Sequence, residues 1–301
     1  MAVSVYNSRI FGNLFGTEEI RNVFSDEAYV RRLIETEAAL ARAQFKVGVI
    51  PSEAGKNVTE AVASATIDFE RDGKIRSLGA TTQDIMDNAS VLQMRQGLQI
   101  VERELKELIR NLTHLSEKYK HTPMAGRTHL QHALPCTFGY KCAVYLSAVL
   151  RHADRLDGIR KRCLLVQFDG VAGTLASLDS DDTGLRVRAE LARELDLQDP
   201  PITWHVARDT IAEIITLSEV ILAASKLLRA NAGLALDAMV VDFERASGPW
   251  HLEWAAVPEA FVLAVGALQQ TNFALSGLVV NTVAMAKNLA SAEVPSLAKR
   301  S

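Results

Sequence analysis

Apolar positions along this chain recur every three or four residues over stretches far longer than an ordinary globular helix. The longest stretch runs from about Gln83 to Tyr119, through Ile85, Val91, Leu92, Met94, Leu98, Val101, Leu105, Leu108, Ile109, Leu112 and Leu115. Roughly 37 residues at 1.5 Å rise each predict a rod ~55 Å long. Its apolar face is wider than the seam of a lone coiled coil, so an extended bundle or an oligomer is expected. A second helix is predicted from about Pro135 to Cys163, with Pro135 suited to its first turn. A third pattern runs from His205 to about Phe243, where Ala246-Ser247-Gly248-Pro249 ends it, and a last one from about Pro258 to Asn288.

Shorter signals complete the pattern. Tyr6 to Gly16 reads as an irregular arm, and Ser25 or Asp26 caps a helix that Gly48 ends. Pro51 and Ser52 open a weaker helical region that Asp72-Gly73 closes, and Asp181 and Asp182 can cap a helix from Gly184 to Leu195. No useful strand alternation appears in the N-terminal part, and the tail from Ser291 is expected to fray. The reading is therefore all-α: a small helical N-terminal domain (1–78), a central long-helix bundle (79–249), and a last bundle helix with a shortened C-terminal remnant (250–301).

Composition adds mainly exclusions. Of 301 residues, 48% are hydrophobic and 23% charged, an ordinary globular balance. A formal net charge of -3 gives no basic face for nucleic acid. Cys136, Cys142 and Cys163 lack metal-ligand spacing and suit reduced thiols in a cytoplasmic protein. No secretory signal is expected, and the apolar run Ala260 to Leu268 falls short of the ~20 residues of a membrane helix, so no membrane partner is expected either.

Candidate chemistry gathers in the turns. Gly126-Arg127-Thr128-His129-Leu130-Gln131-His132-Ala133-Leu134-Pro135 packs a cation, a hydroxyl, two imidazoles and an amide between two long helices. An imidazole exchanges a proton at low cost near neutral pH, and a guanidinium forks onto a carboxylate or phosphate. The alternative is that His129 and His132 only satisfy polar groups at a helix start. Gly79-Ala80-Thr81-Thr82-Gln83-Asp84 is a second polar turn, leading into the longest helix. Asp169 to Leu175 is a glycine-containing loop that either cradles an anion through backbone N–H groups or simply turns between helices.

Two of these turns resemble signatures of the fumarase/aspartase superfamily, in the right order: Gly79 to Asp84 the first, Gly126 to Gln131 the second. Gly173-Thr174-Leu175-Ala176-Ser177-Leu178, Arg208-Asp209, and Glu244-Arg245 through Trp250, Glu253 and Trp254 resemble the branch of adenylosuccinate lyase and 3-carboxy-cis,cis-muconate cycloisomerase. The arm Ser8-Arg9-Ile10-Phe11 and the segment from Gly248 to Trp254 are closer to the cycloisomerase. The resemblance implies a homotetramer whose active sites collect turns from three subunits, and proton transfer beside a carboxylate of a small polycarboxylate substrate. It implies no metal and no organic cofactor. His129 is the implied acid or base. Thr81, Thr82, Gln83, Arg127, Thr128, Gln131 and Arg208 are the implied substrate contacts, although Arg127 can instead anchor its loop.

Three departures accompany the resemblance. Ser77 stands where many relatives have histidine, and Asn88 where threonine is frequent. The third signature, a serine-rich mobile loop, matches nothing. The segments that flank it in the family meet at Leu217–Ser218, so several dozen residues are expected to be missing there. No turn former lies between Ala207 and Lys226, which predicts a continuous helix through the junction. A chain so shortened is expected to be poorly stable with little lyase activity, or to keep the fold as an oligomerisation or binding body.

Overall fold

A computed structural model describes residues 6, 8, 10, 12–63, 80–129, 131–176, 178, 181–221, 233–239 and 247–291. Gly79, Ser77, Arg9, Phe11, Ser177, Glu244 and Arg245 lie outside the described residues, as do the ends expected at Asp72-Gly73 and Phe243. The helices are α1 (Gly12–Phe15), α2 (Glu18–Val23), α3 (Asp26–Val47), α4 (Ser52–Ala63), α5 (Thr82–Lys118), α6 (Phe138–Cys163), α7 (Thr183–Leu195), α8 (Asp209–Ile221), a segment over 233–238 (α9), α10 (Ser247–Ser276) and α11 (Thr282–Ala290). Between α5 and α6 stand two antiparallel strands, β1 (Pro123–Thr128) and β2 (Gln131–Thr137).

The chain divides into two compact units: Met1–Val101 with Arg155–Ala267, and Glu102–Asp154 with Leu268–Ser301. Each is discontinuous in sequence, because α5, α6 and α10 all run across the division.

In the first unit the caps act as their chemistry dictates. Thr17 Oγ1 accepts from Ile20 N, and Ser25 Oγ accepts from Ala28 N. Gly48 closes α3 at φ 88°, a left-handed conformation that glycine adopts at little cost. α3 is tied to α7 by Arg42 and Lys46, which reach Glu190 and Glu194 at 2.5–2.6 Å. The core holds Phe168, Phe261, Leu40, Ile85, Leu92, Met94 and Ile214, with Phe24 stacked on Phe261 at 5.3 Å. A Cβ at Gly97 would lie 2.7 Å from the Phe261 ring, so glycine there lets α10 approach α5 closely.

In the second unit Leu105, Leu108, Leu112 and Leu115 of α5 are buried, and Tyr119 meets Phe138 edge-on at 5.5 Å. Asn272 Nδ2 donates to the Glu104 carbonyl at 3.0 Å. Large apolar side chains remain exposed on this unit: Tyr140, Val144, Tyr145 and Leu150 on α6, and Phe273 on α10.

Several expected boundaries move. The span from Gly126 to Pro135 is a hairpin rather than a simple turn. Pro135 pairs with Ala125 inside it, so α6 starts at Phe138 instead of at the proline. Proline is tolerated there because, among the described residues, each strand has a single partner. The third long helix starts at Asp209, not His205. α10 starts at Ser247, so Trp250, Glu253 and Trp254 lie within it, and Pro258 sits inside the helix instead of opening it. The last pattern is two helices, interrupted after Ser276. α8 passes through Leu217–Ser218 without a break as far as Ile221. By length and composition Trp250–Ser276 is apolar enough to cross a membrane, but 61% of its apolar 18-residue stretch is buried within the protein.

Candidate active site

The second signature occupies the hairpin of the second unit. Arg127 pairs with His132 and Thr128 with Gln131, which leaves His129 at the tip. Side chains directly opposite on paired strands share a face, so Arg127 with His132 and Thr128 with Gln131 present opposite faces. His129 holds φ 50°, a left-handed conformation that tight hairpin tips demand and that histidine tolerates better than most residues. A bulge falls between Ala125 and Arg127. A Cβ on Gly126 would meet the Leu134 carbonyl oxygen at 2.6 Å, so only glycine fits this bend, which re-aims Arg127. The hairpin base is pinned to the end of α5 by Phe138 N donating to Thr122 O and Gly139 N donating to Tyr119 O. Arg127, Thr128, His129, Gln131 and His132 are all exposed. A cavity of about 680 Å³ opens beside the hairpin, between Arg127, Cys136, Tyr140 and Tyr145 and the α11 residues Met285 and Asn288.

The first signature lies in the first unit, at the N-terminus of α5. Thr82 is exposed there, on the turn where unpaired N–H groups favour an anion. Asp84 holds the turn by accepting from Thr81 N at 2.9 Å and from Gly170 N at 3.1 Å. Burial pushes its carboxyl up to about 7, against the pull of those N–H groups and with a further push from Asp169. Gln83 is buried and donates to the His205 carbonyl at 2.9 Å. The Asn88 amide meets the backbone of Gln167 with both ends: Nδ2 donates to its carbonyl at 2.6 Å, and Oδ1 accepts from its N–H at 2.9 Å. A threonine hydroxyl reaches one of those groups at most.

Arg208 differs from its expected role. The residue is 3% exposed, and its guanidinium forks onto two protein carboxylates. Nη1 and Nη2 donate to Asp87 at 2.7 and 2.9 Å, while Nε and Nη2 donate to Glu253 at 2.8 and 2.5 Å. Burial opposes the charge, but Asp87 and Glu253 hold the group above its ordinary range. Burial raises Glu253 as well, against the pull of Arg208. With its donors engaged inside the chain, Arg208 organises α5 and α10 within the first unit and does not wait for a substrate.

The structure thus gathers Thr81, Thr82 and Gln83 in one turn and Arg127, Thr128, His129 and Gln131 in one hairpin, the two sets belonging to different compact units. The glycine loop turns back through left-handed Gly170, Gly173 and Leu175, and its Leu175 N donates to the Asp169 carbonyl. The pairing of Asp87 and the positioning role of Asp84 went unforeseen. Asp84, Asp87 and Asn88 fall at i, i+3 and i+4, in line with Val91 on the apolar stripe, and polar residues on a core-facing stripe need partners. Among the described residues no three His, Cys, Asp or Glu side chains come together as a metal site.

Comparison with known proteins agrees with this geometry. A family profile described as lyase matches residues 57–229. An uncharacterized protein of Schizosaccharomyces pombe is 35% identical over 96% of this chain and 81% of that protein. The solved structure of a fumarate lyase from Mesorhizobium shares 42% identity at a TM-score of 0.87, covering 92% of this chain and 79% of that one. The structure of 3-carboxy-cis,cis-muconate cycloisomerase from Acinetobacter calcoaceticus shares 32% at 0.88, covering 93% and 80%. The pairing with the yeast protein spans 363 positions, whereas 96% of a 301-residue chain is about 289 residues, so about 74 positions lack a counterpart here. The two signature turns, the all-α fold and these matches together place the chain in the fumarase/aspartase superfamily of lyases.

Proposed function

We propose that this protein is a lyase or cycloisomerase that moves a proton beside a carboxylate of a small polycarboxylate. The reactions of 3-carboxy-cis,cis-muconate cycloisomerase and, next, adenylosuccinate lyase are the nearest in kind. The observation that carries the reading is the exposed hairpin, which offers Arg127, Thr128, His129 and Gln131 to solvent on a backbone bent to aim them. His129 serves as acid or base, an exposed imidazole that can give or take a proton through either ring nitrogen. Thr81 and Thr82 supply donors at the α5 N-terminus for one substrate carboxylate, Arg127 and Thr128 bind another, and Gln131 orients the departing group. Fixed donors around the enolate-like carboxylate supply the largest share of the acceleration. Gln83 and Arg208 keep the first-signature turn in place through the His205 carbonyl, Asp87 and Glu253.

The working form in this proposal is a cytoplasmic homotetramer with shared sites. Its support is the exposure of Tyr140, Val144, Tyr145 and Leu150 on α6, an apolar surface that a second copy would cover. The gap of about 74 positions supports a second reading, a catalytically impaired relative that keeps the fold as a binding body. Placing the gap at Leu217–Ser218 agrees with α8 running straight through that point.

One experiment separates the readings. Purified protein is incubated with carboxymuconate and with adenylosuccinate while absorbance is followed, beside a form carrying a family-like loop inserted at Leu217–Ser218. Turnover by the native chain supports the enzyme, and turnover only with the loop supports the impaired relative. Turnover by neither form with either substrate overturns the proposed substrate class. Light scattering on the same samples should report a tetramer, and a stable monomer at micromolar concentration refutes the assembly.

A further inference from the structure

The first unit contains a second cavity, of about 270 Å³, between the start of α3, the first third of α5 and the first turns of α10. Its wall is aromatic: Phe24, Tyr29, Trp250 and Trp254 line it together with Met86 and Met94. Trp250 and Trp254 are one helical turn apart, with ring centroids at 5.2 Å and planes at 73°, so a face and an edge are presented around one corner. Aromatic faces carry negative quadrupole charge and attract cations.

The ground behind that wall carries an unbalanced charge. Asp87 Oδ1 accepts from the Trp250 Nε1–H at 3.2 Å as well as from Arg208. All four oxygens of Asp87 and Glu253 accept hydrogen bonds from the single guanidinium. Two carboxylates against one cation leave one net negative charge, buried where water screens it poorly. Burial pushes the Tyr29 hydroxyl on this wall up to about 12, the Ser90 side chain pulls it back in part, and Asp87 adds a smaller push. Glu253 lines the cavity directly.

We infer that this cavity is a binding site for a small organic cation of the alkylammonium class, held on the faces of Trp250 and Trp254 and drawn by the net negative charge of the Asp87–Arg208–Glu253 cluster. A neutral ligand of the same shape gains the apolar contacts but not the charge. An anionic ligand is repelled, which separates this cavity from the carboxylate chemistry proposed for the signature turns. No bond is made or broken, so the site is one of recognition only.

The test uses choline and its uncharged carbon isostere 3,3-dimethylbutan-1-ol, each titrated calorimetrically into the intact protein. Choline is expected to bind saturably and at least about 10-fold more tightly than the alcohol, the ratio that ~1.4 kcal/mol of cation–π and charge attraction gives. Trp254→Leu should weaken choline about 10-fold, and Trp254→Phe, which keeps a π face, by about 3-fold or less. Trp254 is half exposed, and among the described residues its ring meets Trp250 and His251, so both variants should fold with unchanged melting temperature. Equal affinity for choline and the alcohol, absence of choline binding, or equal loss in both variants overturns the inference.

Discussion

Arg208 in the first unit is 3% exposed and gives its guanidinium to two carboxylates of its own chain, while Arg127 in the second is exposed beside an open cavity. The same contrast runs through their neighbours. His205 is buried with its ring against the Thr203 hydroxyl, whereas His129 is exposed at a hairpin tip. Gln83 donates inward to a carbonyl, and Gln131 sits exposed across from Thr128. Residue type is therefore a poor guide to role here. A polar group desolvated by folding needs its partners in place before a substrate arrives. One left in water keeps its donors and acceptors for something else.

The sharpest way to break this contrast is Arg208→Met. Removing the cation leaves Asp87 and Glu253 buried without compensation, so a loss of about 3–5 kcal/mol is expected. Thermal melting should show it as a collapse in Tm or loss of soluble protein, and Arg127→Met should melt like the native chain. If Arg208→Met retains its Tm and loses only substrate affinity, the guanidinium belongs with the substrate contacts after all.

His129→Asn should have the reverse signature. It is exposed at the hairpin tip, so Tm should stay put while kcat falls about 100-fold, the usual worth of a general acid or base. His132→Asn should cost less. Equal losses from the two substitutions would sink the assignment of the proton to His129.

A third measurement probes the buried side by pH. The Asp84 carboxyl sits at about 7 in the folded chain against an ordinary 3.8. Below about pH 4 both folded and unfolded forms are protonated, and the group's contribution to stability is complete. Between about 4 and 7 the unfolded form releases its proton and the folded form keeps it, so stability falls as pH rises through that window. At up to 1.36 kcal/mol per pH unit, the native chain should lose about 2 kcal/mol more than Asp84→Asn between pH 5 and 7. Urea unfolding at several pH values checks this, and parallel profiles for the two proteins would contradict it.

Much of this was legible in the sequence because long helices write their period plainly. α5 spans Thr82–Lys118 against an expected Gln83 to Tyr119, and α3 is bounded by the Ser25 cap and Gly48. The hairpin was not legible. Pro135 is as well suited to a first helical turn as to a strand with only one partner, and the glycine at the bulge hides the alternation. The start of α10 was masked by Ser247-Gly248-Pro249, which reads as a terminator but is accommodated as an opening turn. The signature turns located the candidate site, yet they carried no information on burial. Only tertiary contacts reveal that Arg208 and Gln83 face inward while Arg127 and His129 face out.

The smallest expected effect comes from Asn88, the position where threonine is frequent in the family. Its amide donates to the Gln167 carbonyl and accepts from the Gln167 N–H, pairing both backbone groups of that residue. Gln167 is buried, so any group Asn88 releases finds no water at once. Asn88→Thr keeps one hydroxyl, which can satisfy one of the two groups, and the orphaned one should cost about 1–2 kcal/mol. For a chain of this size that corresponds to a Tm lower by roughly 2–6 °C. Asn88→Asp adds a sharper comparison. It keeps the acceptor for the Gln167 N–H but replaces the donor with a charge facing the Gln167 carbonyl, close to Asp84, and should melt lower than threonine. If threonine and aspartate both leave Tm unchanged, the two hydrogen bonds contribute nothing net, and the difference from the family at this position has no structural weight.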